Sequence, residues 1–147
     1  MHKTRFMRAN TLKAVSFILL IFISVSCSKQ IINNNSSVYN RQLEGKWNWI
    51  RSTGGFAGHT ISQETLRYTM GIQFKNDSVL LYRDGKITQR HKFAIIKGRS
   101  IFTTDSAHII KYADGGIDQV IQKVNADTLV LADNVNDGYT LTYIKEK

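Results

Sequence analysis

The residues with the most chemical potential are the histidines, and their spacing is unhelpful for chemistry. Besides His2 near the N-terminus, they are His59, His91 and His108, which lie far apart. No His-x-x-x-His pair exists, and Cys27 is the only cysteine, so no Cys-x-x-Cys pair exists either. Metal ligands drawn from one element need such spacing, and no metal or cofactor is expected. His108 with Glu64 or an aspartate could act as base for a serine nucleophile, but no Gly-x-Ser-x-Gly elbow is present. The expectation is a protein that is not an enzyme, with a hydrolase as the remote alternative. The stretch 52–59 (STGGFAGH) is rich in glycine but is not followed by Gly-Lys-Ser/Thr, so it does not read as a phosphate cradle. It reads as a connection or, through Phe56 and His59, as a lid over a pocket.

Chemistry of another kind is written at the N-terminus. Residues 1–13 carry Lys3, Arg5, Arg8 and Lys13 with no acidic residue, and 14–26 (AVSFILLIFISVS) are apolar apart from serines. A basic stretch, a short apolar stretch and then small residues form a secretory signal. The apolar run is about half the ~20 residues that span a bilayer. Ser26-Cys27 resembles a bacterial lipobox. That resemblance implies cleavage before Cys27, a diacylglycerol on its sulfur and acyl chains sufficient for stable anchoring. Plain secretion with a free thiol is the alternative. Ser28-Lys29-Gln30 lacks the aspartate that retains some lipoproteins in the inner membrane, which favours the outer membrane. It also lacks an acidic export run, which favours the periplasmic face.

With 1–26 removed, 121 residues remain, one domain's worth. The whole chain carries +9, and loss of the four signal cations leaves 16 basic against 11 acidic residues, +5. That excess falls short of a nucleic-acid signature, so no nucleic-acid partner is expected. A single cysteine leaves the folded part without a disulfide, and packing alone must hold it.

The polar, Asn- and Ser-rich stretch 28–41 reads as a flexible tether. From Leu43 onward the chain reads as nine strands: 46–52, 68–75, 78–83, 86–96, 99–104, 107–112, 117–124, 128–132 and 139–145. Residues 61–67 are the one helix-leaning segment, too short to stand alone. Asp84-Gly85 between two β-rich runs is a hairpin turn requiring positive φ at both residues. Asn76-Asp77, Lys97-Gly98, Asp105-Ser106, Asp114-Gly115-Gly116 and Ala126-Asp127 mark the other connections. Short links favour neighbouring antiparallel strands, and closing them removes exposed edges. The expected fold is all-β: an antiparallel up-and-down barrel of eight or nine strands, with a sandwich as the alternative. The domain plan is a signal peptide at 1–26, the lipidated cysteine and tether at 27–42, and the barrel at 43–147.

Gly45-Lys46-Trp47 at the start of the first strand resembles the opening motif of the lipocalin/calycin superfamily. The resemblance covers roughly residues 43–145. It implies an eight-stranded barrel whose closed end is crossed by Trp47, with 54–58 placed as the loop at the open mouth. The ending, with 127–131, Asp137-Gly138 and 139–143, is similar to that of small bacterial lipocalin-like lipoproteins.

Function then rests on the interior. Trp47 and Trp49 are first of all core anchors, and the functional reading puts Trp49 in a cavity wall above Trp47. Trp49, Phe56, Phe74, Leu81, Phe93 and Tyr143 are the expected lining of a pocket for a small apolar ligand. Gln89, His91 and Phe93 share one face of their strand, opposite Arg90 and Lys92, so an inward-facing His91 would make the lumen partly polar. The basic set Lys86, Arg90, Lys92, Lys97 and Arg99 reads as a solvated face that also discourages edge pairing, with a phospholipid or partner patch as the alternative. Ser78, Ser106 and Thr128, each after an aspartate, resemble an O-glycosylation motif of some Gram-negative exported proteins and equally fit turn chemistry. The alternative function is an accessory lipoprotein docked on an outer-membrane protein complex, without a small ligand.

Overall fold

The structure is a computed structural model and describes residues 34–147. The signal peptide expected at 1–26, the lipidation expected at Cys27 and residues 28–33 lie outside the described residues.

The first element corrects the sequence reading. Within the stretch read as tether, Asn34–Leu43 forms a helix, α1. Its apolar content is small but well placed. Tyr39 and Leu43 are four residues apart and therefore share one face, and that face meets the barrel core. Leu43 is fully buried, its carbonyl accepts a hydrogen bond from Trp47 Nε1 at 2.7 Å, and Tyr39 stacks on His108. Ser36 Oγ adds a bond to Ile95 O at 3.4 Å. Polar composition hides this helix because tertiary contacts, not periodicity, secure it.

The strands are β1 (Gly45–Gly54), β2 (His59–Ser62), β3 (Met70–Lys75), β4 (Ser78–Arg83), β5 (Lys86–Arg99), β6 (Ser106–Tyr112), β7 (Gln119–Val124), β8 (Thr128–Asp133) and β9 (Tyr139–Lys145), with a one-turn helix α2 (Gln63–Leu66) after β2. Every pairing is antiparallel between consecutive strands from β3 to β9. β1 pairs with β3 on one side and β9 on the other, so eight strands close into an up-and-down barrel. β2 is a short addition beside the second half of β1.

Two strand assignments change. Lys97-Gly98 does not turn the chain, because β5 runs on through it to Arg99. A Cβ at Gly98 would sit 3.2 Å from Ile109 Cδ1, so this glycine serves a close approach within the strand pair. Residues 99–104, read as a strand, are mostly the β5–β6 connection. β2 falls across the end of the expected loop 52–59 and the start of the helix-leaning segment 61–67. The Asp84-Gly85 turn has the expected backbone, with φ of 48° and 74°.

The barrel has two unlike ends. One buried cluster runs from Leu43 of α1 through Trp47, Phe74, Val79, Phe93, Ile95, Ile110, Ile121 and Leu129 at the floor and on to Trp49, Ile72, Leu131 and Tyr143 above it. Phe74 and Phe93 meet edge to face at 5.2 Å, and Lys145 Nζ lies 4.7 Å from the Trp47 ring centroid. Trp47 thus sits where the Gly45-x-Trp47 resemblance implied. At the mouth, the 55–58 turn meets the 134–138 loop, where Gly55 N donates to Gly138 O at 3.3 Å.

A smaller apolar layer lies outside the barrel. Ile109, Val120 and Ala132 are register neighbours on β6, β7 and β8 and are buried, although their chain neighbours Ile110, Ile121 and Leu131 are the ones facing inward. The β5–β6 connection is tied against this face by Asn134. Its Nδ2 donates to Arg99 O at 3.2 Å, and its Oδ1 accepts from Ile101 N at 3.0 Å.

Candidate functional site

Strand alternation decides what enters the lumen. With Trp47, Phe74, Phe93 and Leu131 inward, the same parity carries Trp49, Met70, Leu81, Gln89, His91, Tyr112, Gln119, Asp133, Leu141 and Tyr143 inward nearer the mouth. The side chains there do not fill the space. Two adjoining cavities of about 310 Å³ and about 330 Å³ open above the floor and share Leu81, Gln89, Leu141 and Tyr143. A third, of about 260 Å³, continues past Trp49 and Ser52 toward Ile61 and Leu66. A larger depression, about 590 Å³, is an open groove on the outer face of β1 and β3, and it shares only Met70, Gly71 and Tyr82 with one lumen cavity.

One wall of the lumen is apolar: Trp49, Met70, Leu81 and Leu141. Trp49 is held by a 2.9 Å bond from its Nε1 to Ser52 Oγ, while Gln63 Nε2 of α2 caps Trp49 O at 2.6 Å. The facing wall is polar and linked. The Tyr112 hydroxyl donates to Gln119 Oε1 at 2.8 Å, and Gln119 Nε2 donates to Asp133 Oδ1 at 2.9 Å. Asp133 Oδ2 accepts from Tyr139 N at 3.1 Å. At the rim, His91 Nδ1 bonds Asp114 and its ring meets Tyr112 edge-on.

The electrostatics follow from this arrangement. Burial, then the carboxylates of Asp133, Asp118 and Asp114, pushes the Tyr112 phenol well above its ordinary range. Burial chiefly, then Tyr112 and Asp133, does the same to Tyr143. Both stay protonated. The His91 hydrogen bond holds Asp114 below the usual carboxylate range. The lumen therefore offers neutral phenols, amides and a carboxylate against an apolar wall. Among the described residues, no cluster of three or more His, Cys, Asp or Glu is placed to hold a metal ion.

The six residues expected to line a pocket divide three ways. Trp49, Leu81 and Tyr143 come together around the lumen. Phe74 and Phe93 belong to the floor, because they lie deeper along strands of the correct parity. Phe56 is 95% exposed at the tip of the β1–β2 turn and lines nothing. His108 and Glu64 do not meet, since His108 packs under α1 at the floor while Glu64 lies in α2 at the mouth. Ser78, Ser106 and Thr128 begin β4, β6 and β8, all at the floor end, and Ser106 is exposed. The polar wall of Tyr112, Gln119 and Asp133 went unread as a site. Its sequence signal was polar residues on the apolar parity, as in Gln119-Val120-Ile121.

No protein-family model, curated protein or solved structure matches this chain. The closed eight-stranded meander is nevertheless a lipocalin-like architecture.

Proposed function

We propose that the protein is an exported lipoprotein, lipidated on Cys27 and held at the periplasmic face of the outer membrane, whose barrel binds a small ligand with an apolar body. The observation that carries the binding half is the unfilled upper lumen over a packed floor. Small barrels can fill their interior with side chains, whereas this one leaves cavities of about 300 Å³, at the lower edge of ordinary ligand pockets. The anchoring half rests on the basic, apolar and small-residue signal, and on a lone cysteine that has no other assigned role.

A second reading is favoured by a different surface. Ile101, Phe102 and Val135 are all exposed and lie at, or next in sequence to, Asn134 and the loop residue it bonds. An accessory protein docking through this face would need no ligand. Native mass spectrometry of the protein released from its own envelope decides between them. The binding reading expects a chain starting at lipid-modified Cys27 with one small-molecule adduct, lost in Leu81→Trp, which fills the lumen. A second polypeptide in place of the adduct supports docking. An unmodified cysteine overturns the anchor.

A further inference from the structure

Asp133 is a carboxylate facing the lumen whose bonded partners are neutral: Gln119 Nε2 and the Tyr139 amide. Among the described residues it forms no ion pair, unlike Asp77 with Lys92, Asp114 with His91, or Asp118 with Lys111. A partly buried carboxylate without a counter-charge is costly, and a cation arriving beside it recovers that cost. A second, independent group points into the same space. Tyr143 is 5% exposed, lines the cavity that Asp133 also lines, and its hydroxyl has no hydrogen-bond partner among the described residues. No enclosed side-chain polar atom among the described residues lacks a partner, so this hydroxyl opens onto the cavity, where an entering group can bond it.

We propose that the lumen selects a small amphiphilic amine, whose ammonium group meets Asp133 and the Tyr143 hydroxyl while its apolar body lies on Trp49, Leu81 and Leu141. The inference rests on the reading of the lumen as a ligand cavity. Three features fit an ammonium and not an anion. The carboxylate and the phenol oxygen both accept N–H donors. The aromatic side chains of Tyr112 and Tyr143 line the same cavity, and aromatic rings attract a cation. No lysine or arginine lines the cavity that Asp133 and Tyr143 share, and its one histidine, His91, is already bonded to Asp114, so an anionic head would meet no uncommitted cation there.

The test is a series of three isosteric probes against the full-length protein: 2-phenylethylamine, 2-phenylethanol and 3-phenylpropionate. Binding is read by calorimetry and by the indole N–H signal of Trp49. The proposal expects the amine to bind about tenfold or more tighter than the alcohol, as a charge-assisted bond in a sheltered site does. Asp133→Asn should erase that preference while leaving alcohol binding in place. Tyr143→Phe should weaken the amine several-fold, and it decides the matter if Asp133→Asn fails to fold. Equal binding of amine and alcohol, or tightest binding of the propionate, overturns the amine and leaves the ligand cavity standing. Failure of all three to move Trp49 overturns both.

Discussion

Gly54 closes β1 with φ of +146°, and a Cβ added there would lie 2.3 Å from Gly138 O. That contact is backbone on backbone, so neither side can swing away, and the mouth depends on it to bring the 55–58 turn against the 134–138 loop. Gly58 also has positive φ, +65°, but open space around it. Gly54→Ala should therefore cost about 1–3 kcal/mol or more in urea unfolding, and Gly58→Ala about 1 kcal/mol. Equal losses would contradict the close approach. Residue type was legible here and position was not. Sequence placed Phe74, Phe93 and Leu81 on one inward face, but parity says nothing of depth. Depth depends on how far each strand is slid against its neighbours, which no single strand records.

The two elements hardest to foresee are those whose stability is borrowed. Among the described side chains of α1, Tyr39 and Leu43 are the ones turned to the core, and the loop after β5 is held by the Asn134 side chain. α1 also carries a pH dependence through His108, which Tyr39 covers at a ring separation of 4.2 Å. Burial, then Lys97, lowers the His108 pKa below its ordinary 6.5. The unfolded chain then takes up a proton at a higher pH than the native one. The His108 contribution is thus complete above pH 6.5 and is lost as pH falls through the lower folded-state value. Unfolding free energies measured from pH 7.5 to 5 should fall more steeply for the wild type than for His108→Phe. Parallel curves would show that this histidine titrates alike in both states.

At the scale of the molecule, the closed meander was readable because each level agreed: alternating strands, turn residues at their ends, no proline, and Gly45-Lys46-Trp47 at the start. The doubled apolar pairs Ile109-Ile110, Val120-Ile121 and Leu131-Ala132 carried a further message, burial on both faces, which the outer layer explains. The division of the interior into floor and lumen was not readable, since cavities are made by residues that fail to meet. That division is the central claim, and the two tryptophans report on it separately. Trp47 Nε1 is bonded to Leu43 O in the floor, and Trp49 Nε1 to Ser52 Oγ in the lumen wall. Titration of the neutral probe 2-phenylethanol, watched at both indole N–H signals, tests it most directly. A saturable shift at Trp49 with Trp47 unmoved is the predicted result, and no shift at Trp49, or equal shifts at both, would contradict a ligand cavity above a sealed floor.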